Sequence, residues 1–233
     1  FITATPIEKF WKTLGDVGIR QLLNMDHGTN TNFLSDYDDY RSFDDHEIVV
    51  HDNDTCNPLH YIMDAFNHSL INEEERQIIF APAHIYKGGV GMGSNEEVAS
   101  FFSTKGYCVW LMNGEYKGFI LPNQKKISYE DYRSIHNITG EMYECLRHWA
   151  TENPTVNLVI TGNMIIQRGI TFNTTGFNFT SAFISDYHAS CVGTLSQIFG
   201  RCLGSKKYVK EMRIICSVDV HTTLSEYNNV MKE

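Results

Sequence analysis

Gln197 and Arg201 stand four residues apart, a spacing that puts both side chains on one face of a helix. Upstream, Arg168-Gly169 follows Thr161-Gly162, with Arg168 six residues after Gly162. A guanidinium held beside a transferring phosphoryl group neutralises the charge that develops there, and where it operates it is worth roughly 10³–10⁵ in rate. Thr161 and Gly162 come directly after an apolar run, Val156 to Ile160, so a hydroxyl and an unhindered backbone amide would meet a phosphate at the end of a strand. Plainer roles compete with these. Arg201 could cap or salt-bridge its own helix, Thr161-Gly162 could be an ordinary strand-to-loop turn, and Arg168 could brace the fold.

The elements that would position these residues follow from hydrophobic periodicity. Glu47 to His51, Gln77 to Ala81, Tyr107 to Met112, Val156 to Ile160, Ala182 to Ser185 and Met212 to Ser217 are short apolar runs, as buried strands require. Between them, Asn57 to Leu70, the segment opened by Ser94 with Glu97 three residues on, Glu141 to Ala150, and Ala189 to Leu203 carry apolar residues at helical spacing. Residues 1–20 have the pattern of a strand end, a turn at Pro6 and a helix, and residues 21–45 are a polar connection. Strands alternating with helices predict an α/β chain with a parallel sheet covered on both faces. Ligands of such sheets bind at the carboxyl ends of the strands. That rim would gather Ala81 to Gly93, Asn113-Gly114, Thr161 to Phe172 and Ser185 to His188.

A family resemblance sharpens this. Thr161-Gly162-Asn163-Met164-Ile165-Ile166-Gln167-Arg168-Gly169-Ile170-Thr171 resembles the fifth motif of superfamily 2 helicases, T-x6-R-G-I-D, with Thr171 where Asp is usual. Gln197-Ile198-Phe199-Gly200-Arg201-Cys202-Leu203-Gly204 resembles the sixth, Q-x-x-G-R-x-x-R, with Gly204 where a second arginine is usual. The role of that arginine would pass to Arg201, Lys206 or Lys207, or be absent. Phe1 to Pro6 (F-I-T-A-T-P) is similar to the third motif, Gln77-Ile78-Ile79-Phe80 to the fourth, and Asn113-Gly114 stands where many members carry His-Gly. The G-R-x-x-G ending also resembles helicase-like proteins of the Z1 type and of large viruses and phages.

The resemblance implies a RecA-like sheet in residues 71–233, preceded in residues 1–70 by the tail of another RecA-like domain and a connection. It implies the C-terminal motor domain of an ATP-dependent nucleic-acid helicase or translocase. Arg201 and Gln197 would act in catalysis, and Gly169, Thr171 and Arg201 would touch the nucleotide. Thr161, Gly162, Asn113, Gly114 and Thr5 would touch nucleic acid, DNA ahead of RNA. ATP and Mg²⁺ would be held mainly by an upstream RecA-like domain, because no G-x-x-x-x-G-K-[S/T] and no D-E-x-[H/D] string occurs in the chain. Two other expectations stay open: a non-catalytic helicase-like scaffold, and an unrelated α/β enzyme using the glycine-rich loop Gly88 to Gly93.

Composition limits the alternatives. A net charge of -9 argues against a protein that holds nucleic acid chiefly by a basic surface, but not against a motor that grips phosphates with amides and hydroxyls in a cleft. No apolar run approaches the roughly 20 residues of a membrane span, and no signal peptide is visible. Six cysteines without a C-x-x-C pair suggest reduced core residues in an intracellular protein, in cytoplasm or nucleus or encoded by a virus. The start at Phe1 rather than Met suggests an excised piece of something longer. His51, Cys56 and His60 have a spacing that could ligate a metal, but no fourth ligand is evident and no metal is expected. Phe172, Phe177, Phe179, Tyr187 and Phe199 suggest core ahead of a base-stacking platform.

Overall fold

Cys108–Met112 is apolar at every position and buried at every position, as a strand covered on both faces must be. The computed structural model describes residues 40–53, 55–72, 74–83, 93–162, 172, 176–188 and 192–232. In chain order the strands are β1 (Tyr40–Arg41), β2 (Glu47–Val50), β3 (Ile78–Phe80), β4 (Cys108–Met112), β5 (Lys117–Ile120), β6 (Lys126–Ser128), β7 (Leu158–Gly162), β8 (Ser181–Ile184), β9 (Gly204–Ser205) and β10 (Arg213–Cys216). The helices are α1 (Pro58–Asn67), α2 (Asn95–Thr104), α3 (Tyr129–His136), α4 (Met142–Glu152), α5 (Val192–Phe199) and α6 (Val218–Lys232).

Eight strands form one sheet in the order β2-β10-β8-β3-β7-β4-β5-β6. The six from β2 to β4 are parallel, and β5 and β6 extend the edge as an antiparallel hairpin. This is the expected α/β architecture, consistent with a RecA-like fold. The hairpin was not among the expected elements. Strand alternation builds two cores. Phe80, Trp110, Leu158, Ile160, Ile184 and Ile214 face α3, α4, Phe199 and α6, whereas Ile79, Val109, Val159, Phe183 and Ile215 face α1 and α2. Phe172, Phe177, Phe179 and Phe199 of the aromatic zone are buried in the first of these cores, whereas Tyr187 is half-buried and not part of it.

The expected boundary near residue 70 does not coincide with an edge of this sheet. β2 pairs in parallel with β10 along its whole length, and α1 packs its Tyr61, Ile62 and Ala65 on the same core as α2. The preceding residues 1–39, including the segment similar to the third motif, lie outside the described residues.

Two of the predicted helix starts are capped by side chains. Ser94 accepts from Glu97 N at 3.2 Å while Glu97 Oε2 accepts from Ser94 N at 2.7 Å, a reciprocal capping box. Asn57 Oδ1 accepts from Leu59 N and His60 N at 2.9 and 3.2 Å, with Pro58 at the first turn. Gly93 presses on that second cap. Its φ is +63°, and a Cβ there would collide with Asn57 Oδ1 and lie 2.7 Å from Leu59 N. Gly93→Ala is therefore expected to cost about 1–3 kcal/mol, by strained backbone plus a displaced cap. Urea denaturation checks this, and an unchanged midpoint would contradict it.

Candidate functional site at the carboxyl rim

The connections leaving β3 and its neighbour β8 diverge. That of β3 runs over β7 to β4 on one side, while that of β8 continues to β10 on the opposite side. In an open α/β sheet that divergence opens a crevice at the carboxyl ends. β3 is registered with β8 only at Ile79↔Ser181 and Phe80↔Ala182. Beyond that point it follows β7, since Ala81 N and Ala83 N donate to Ile160 O and Gly162 O at 2.9 and 3.0 Å.

Ser185 lies at the crevice, just past β8, whereas Thr161 lies on β7, on the far side of β3. Alternation from Val159 and Phe183 turns both side chains to the α1/α2 face. Both are buried, and among the described residues neither Thr161 Oγ1 nor Ser185 Oγ has a hydrogen-bond partner. An orphaned buried hydroxyl costs about 1–3 kcal/mol, so two beside a topological switch point mark groups with an unmet partner. Asn95, at the first turn of α2, is also buried, and its Nδ2 is unpartnered too. Thr161→Val keeps the shape and removes the orphan, and it is expected to stabilise the fold by about 1 kcal/mol, measurable as a raised denaturation midpoint. Destabilisation would show that the hydroxyl has a structural partner.

The other predicted rim residues divide. Asn113 is consumed by structure: its Oδ1 accepts from Glu115 N and Tyr116 N at 2.9 and 2.7 Å, and its Nδ2 donates to Asn95 Oδ1 at 3.0 Å. It shapes the β4–β5 turn and ties it to α2. Gly114, at the tip of that turn, is exposed with open space around it. Gly162 is buried, with its carbonyl taken by Ala83. Gln77, of the fourth-motif segment, lies at the amino ends instead, where its Oε1 accepts from Thr180 and Ser181 hydroxyls at 2.9 Å each. Thr5, Gly169, Thr171 and Arg168, and Gly88 to Met92 of the glycine-rich loop, lie outside the described residues.

Arg201 does not share the rim. Helix α5 stops at Phe199, and after Gly200 the chain tightens, with Arg201 N donating to Ile198 O at 3.1 Å and Cys202 N to Phe199 O at 2.7 Å. Arg201 thus lies past the end of the helix that bears Gln197, not on one face with it. The adjoining Cys202 carbonyl is 3.0 Å from His46 Nε2, and Met212 N donates to His46 Nδ1 at 3.3 Å. His46 and Met212 directly precede β2 and β10, so Arg201 belongs to the amino-end side of the sheet. A backbone N–H only donates and a carbonyl only accepts, so His46 is the neutral tautomer with its proton on Nε2. Burial pulls its pKa down from 6.5 to about 4. Arg201 itself is half-buried, and loss of solvent lowers its pKa.

The glycine in place of the second arginine has a backbone reason. Gly204 has φ +143°, pairs antiparallel with Arg41 across β1–β9, and would place a Cβ 3.1 Å from Val209 Cγ2. An L side chain is strained there. Lys206 lies 3.9 Å from Asp45 Oδ1, drawn toward that carboxylate.

Among the described residues no helix is long and apolar enough to cross a membrane. No protein-family model matches the chain, and neither does any curated protein.

Proposed function

We propose that this chain is the C-terminal motor domain of an ATP-dependent nucleic-acid helicase or translocase. It would supply the arginine side of an ATP site and part of a strand-tracking rim. The single observation that carries this reading is the pair of orphaned hydroxyls, Thr161 and Ser185, at the switch point of a parallel sheet. A threonine ending the strand before the fifth-motif segment is where the motif resemblance puts a phosphate contact. The phosphate partner would repay the unmet hydrogen bond.

The separation of Arg201 from the rim is compatible with two ligands. Nucleic acid would lie along the carboxyl ends of the strands. ATP and Mg²⁺ would be gripped by a second RecA-like domain, with Arg201 reaching their phosphates from this one. Binding of ATP would close the two domains and hydrolysis would reopen them, so that alternating grip moves the strand. DNA is the preferred partner in this reading, in an intracellular setting.

The test compares the chain alone with a longer protein that includes the upstream RecA-like domain. The chain alone is expected to show no ATP turnover, since it has no P-loop. The longer protein is expected to show turnover stimulated by single-stranded DNA. Turnover by the purified chain alone, or none in the longer protein, would contradict the proposal.

A second reading is favoured by one observation. The backbone at Gly204 excludes the second arginine of the sixth motif, which suits a helicase-like scaffold that has lost catalysis. In that case the longer protein would bind nucleic acid without hydrolysing ATP.

A further inference from the structure

His51 is the first residue beyond β2, and its backbone is fixed on both sides: its N–H donates to Cys216 O at 2.9 Å and its carbonyl accepts from Tyr61 OH at 3.2 Å. Its imidazole is turned onto α1, where Nε2 lies 2.7 Å from Asp64 Oδ2. Asn53 Nδ2 holds the same oxygen at 2.7 Å. His68 follows Asp64 by one helical turn, so both project from one face, and its Nδ1 lies 3.6 Å from Asp64 Oδ1. The two imidazole rings are 5.1 Å apart between centroids. One ligand atom from each of the three residues falls within 4.8 Å of the others.

We propose that His51, Asp64 and His68 form a binding site for one divalent transition-metal ion of the Zn²⁺ class, independent of the ATP and nucleic-acid reading. Two imidazoles and a single carboxylate select zinc, cobalt or nickel over magnesium or calcium, which prefer shells of oxygen. Metal–ligand bonds of about 2.0–2.2 Å set ligand atoms roughly 3.3 Å apart around a tetrahedral ion. The 2.7 Å to Oδ2, the 3.6 Å to Oδ1 and the 4.8 Å limit on all three ligand atoms place the donors near that separation, and side-chain rotation would seat the ion. His68 is largely exposed and can make that rotation, giving up the contact of its Nδ1 with the Asp64 carbonyl. Asn53 serves as the outer support that orients a ligating carboxylate. Three protein ligands leave a fourth position for water, the arrangement of an open zinc site. The ion would cross-link the edge strand to α1.

Neither of the other two residues in the spacing His51, Cys56, His60 joins this group: Cys56 and His60 are exposed, and Asp64 and His68 take their place. That contrast makes the test specific. Zn²⁺ is titrated calorimetrically into the 233-residue chain, and Co²⁺ binding is followed by its visible absorption. One ion per chain is expected, with a rise in melting temperature. His68→Ala and His51→Gln are expected to weaken binding at least tenfold while the far-ultraviolet circular dichroism is unchanged. His60→Ala and Cys56→Ser are expected to bind as wild type. The proposal is overturned if Zn²⁺ does not bind, if binding survives in the folded His68→Ala chain, or if it is lost in His60→Ala instead.

Discussion

Arg201→Ala, made in a protein that joins this chain to the P-loop domain proposed above, is expected to cut DNA-stimulated ATP hydrolysis about 10³-fold or more. The expectation rests on Arg201 as the arginine that the sixth-motif segment retains. The next arginine position of the sixth motif is Gly204, whose backbone conformation and closeness to Val209 disfavour any side chain. Lys206 is turned toward Asp45. Arg201 is half-buried and lost solvation lowers its pKa, yet a guanidinium stays charged at neutral pH. A charge already stripped of water interacts more strongly with a developing phosphoryl charge. Its loss should therefore lower kcat far more than it raises the KM for ATP. A lysine in its place retains charge but not the planar fork, and should recover only part of the rate. A merely structural Arg201 would show lost folding stability instead, with the catalytic constant per folded molecule unchanged.

The second large effect is acid lability centred on His46. In the folded chain its ring must accept from Met212 N–H and donate to the Cys202 carbonyl, so only the neutral form fits. Its pKa is pulled from 6.5 to about 4, first by burial, while the Cys202 hydrogen bond opposes the shift. Between those values the unfolded chain takes up a proton that the folded chain refuses. Stability is therefore full above pH 6.5 and falls as pH drops toward 4. The loss accumulates at about 1.4 kcal/mol per pH unit, to about 3 kcal/mol. Urea midpoints at neutral pH and near pH 4 measure it. His46→Gln keeps one donor and one acceptor without a titrating group, and should flatten this acid limb. An equal pH slope in the variant would assign the lability elsewhere. The consequence reaches the proposed ATP site, because His46 anchors the peptide carbonyl directly after Arg201.

The layered α/β design was legible because its signals are local. Continuous apolar runs such as Cys108–Met112 mark strands wherever they pair, and the Ser94–Glu97 box marks a helix start from four residues. What was not legible depends on partners distant in sequence. β2 joins the sheet through β10, Glu47 against Arg213, so nothing near residue 47 reveals that it belongs with the later strands. The β5–β6 hairpin is short and polar at its outer strand, and only the packing of Phe119 on Trp110 and Trp149 shows that it is core. The apolar spacing of the sixth-motif segment carries a helix on to Leu203, but the helix ends at Phe199. That early exit separates Arg201 from the face of Gln197. The strand-end position of Thr161 was readable from the apolar run before it. The orphaned state of its hydroxyl was not, because the surroundings that bury it come from β3, β4 and α2. The grouping of His51 with Asp64 and His68 was likewise hidden, since its only local trace is an Asp and a His one helical turn apart.

The rim can be interrogated without any second domain. Fluorescence anisotropy of a labelled single-stranded oligonucleotide, titrated with the chain and with Thr161→Val, measures whether the buried hydroxyl belongs to a nucleic-acid contact. Weak, salt-sensitive binding by the wild-type chain is expected, with affinity about tenfold lower in Thr161→Val, as loss of a hydrogen bond to a charged phosphate implies. That loss should come from the same variant whose fold is more stable, since the hydroxyl would serve the ligand at the expense of the core. Equal binding by the two proteins, or no binding by either at high micromolar concentration, would contradict the account.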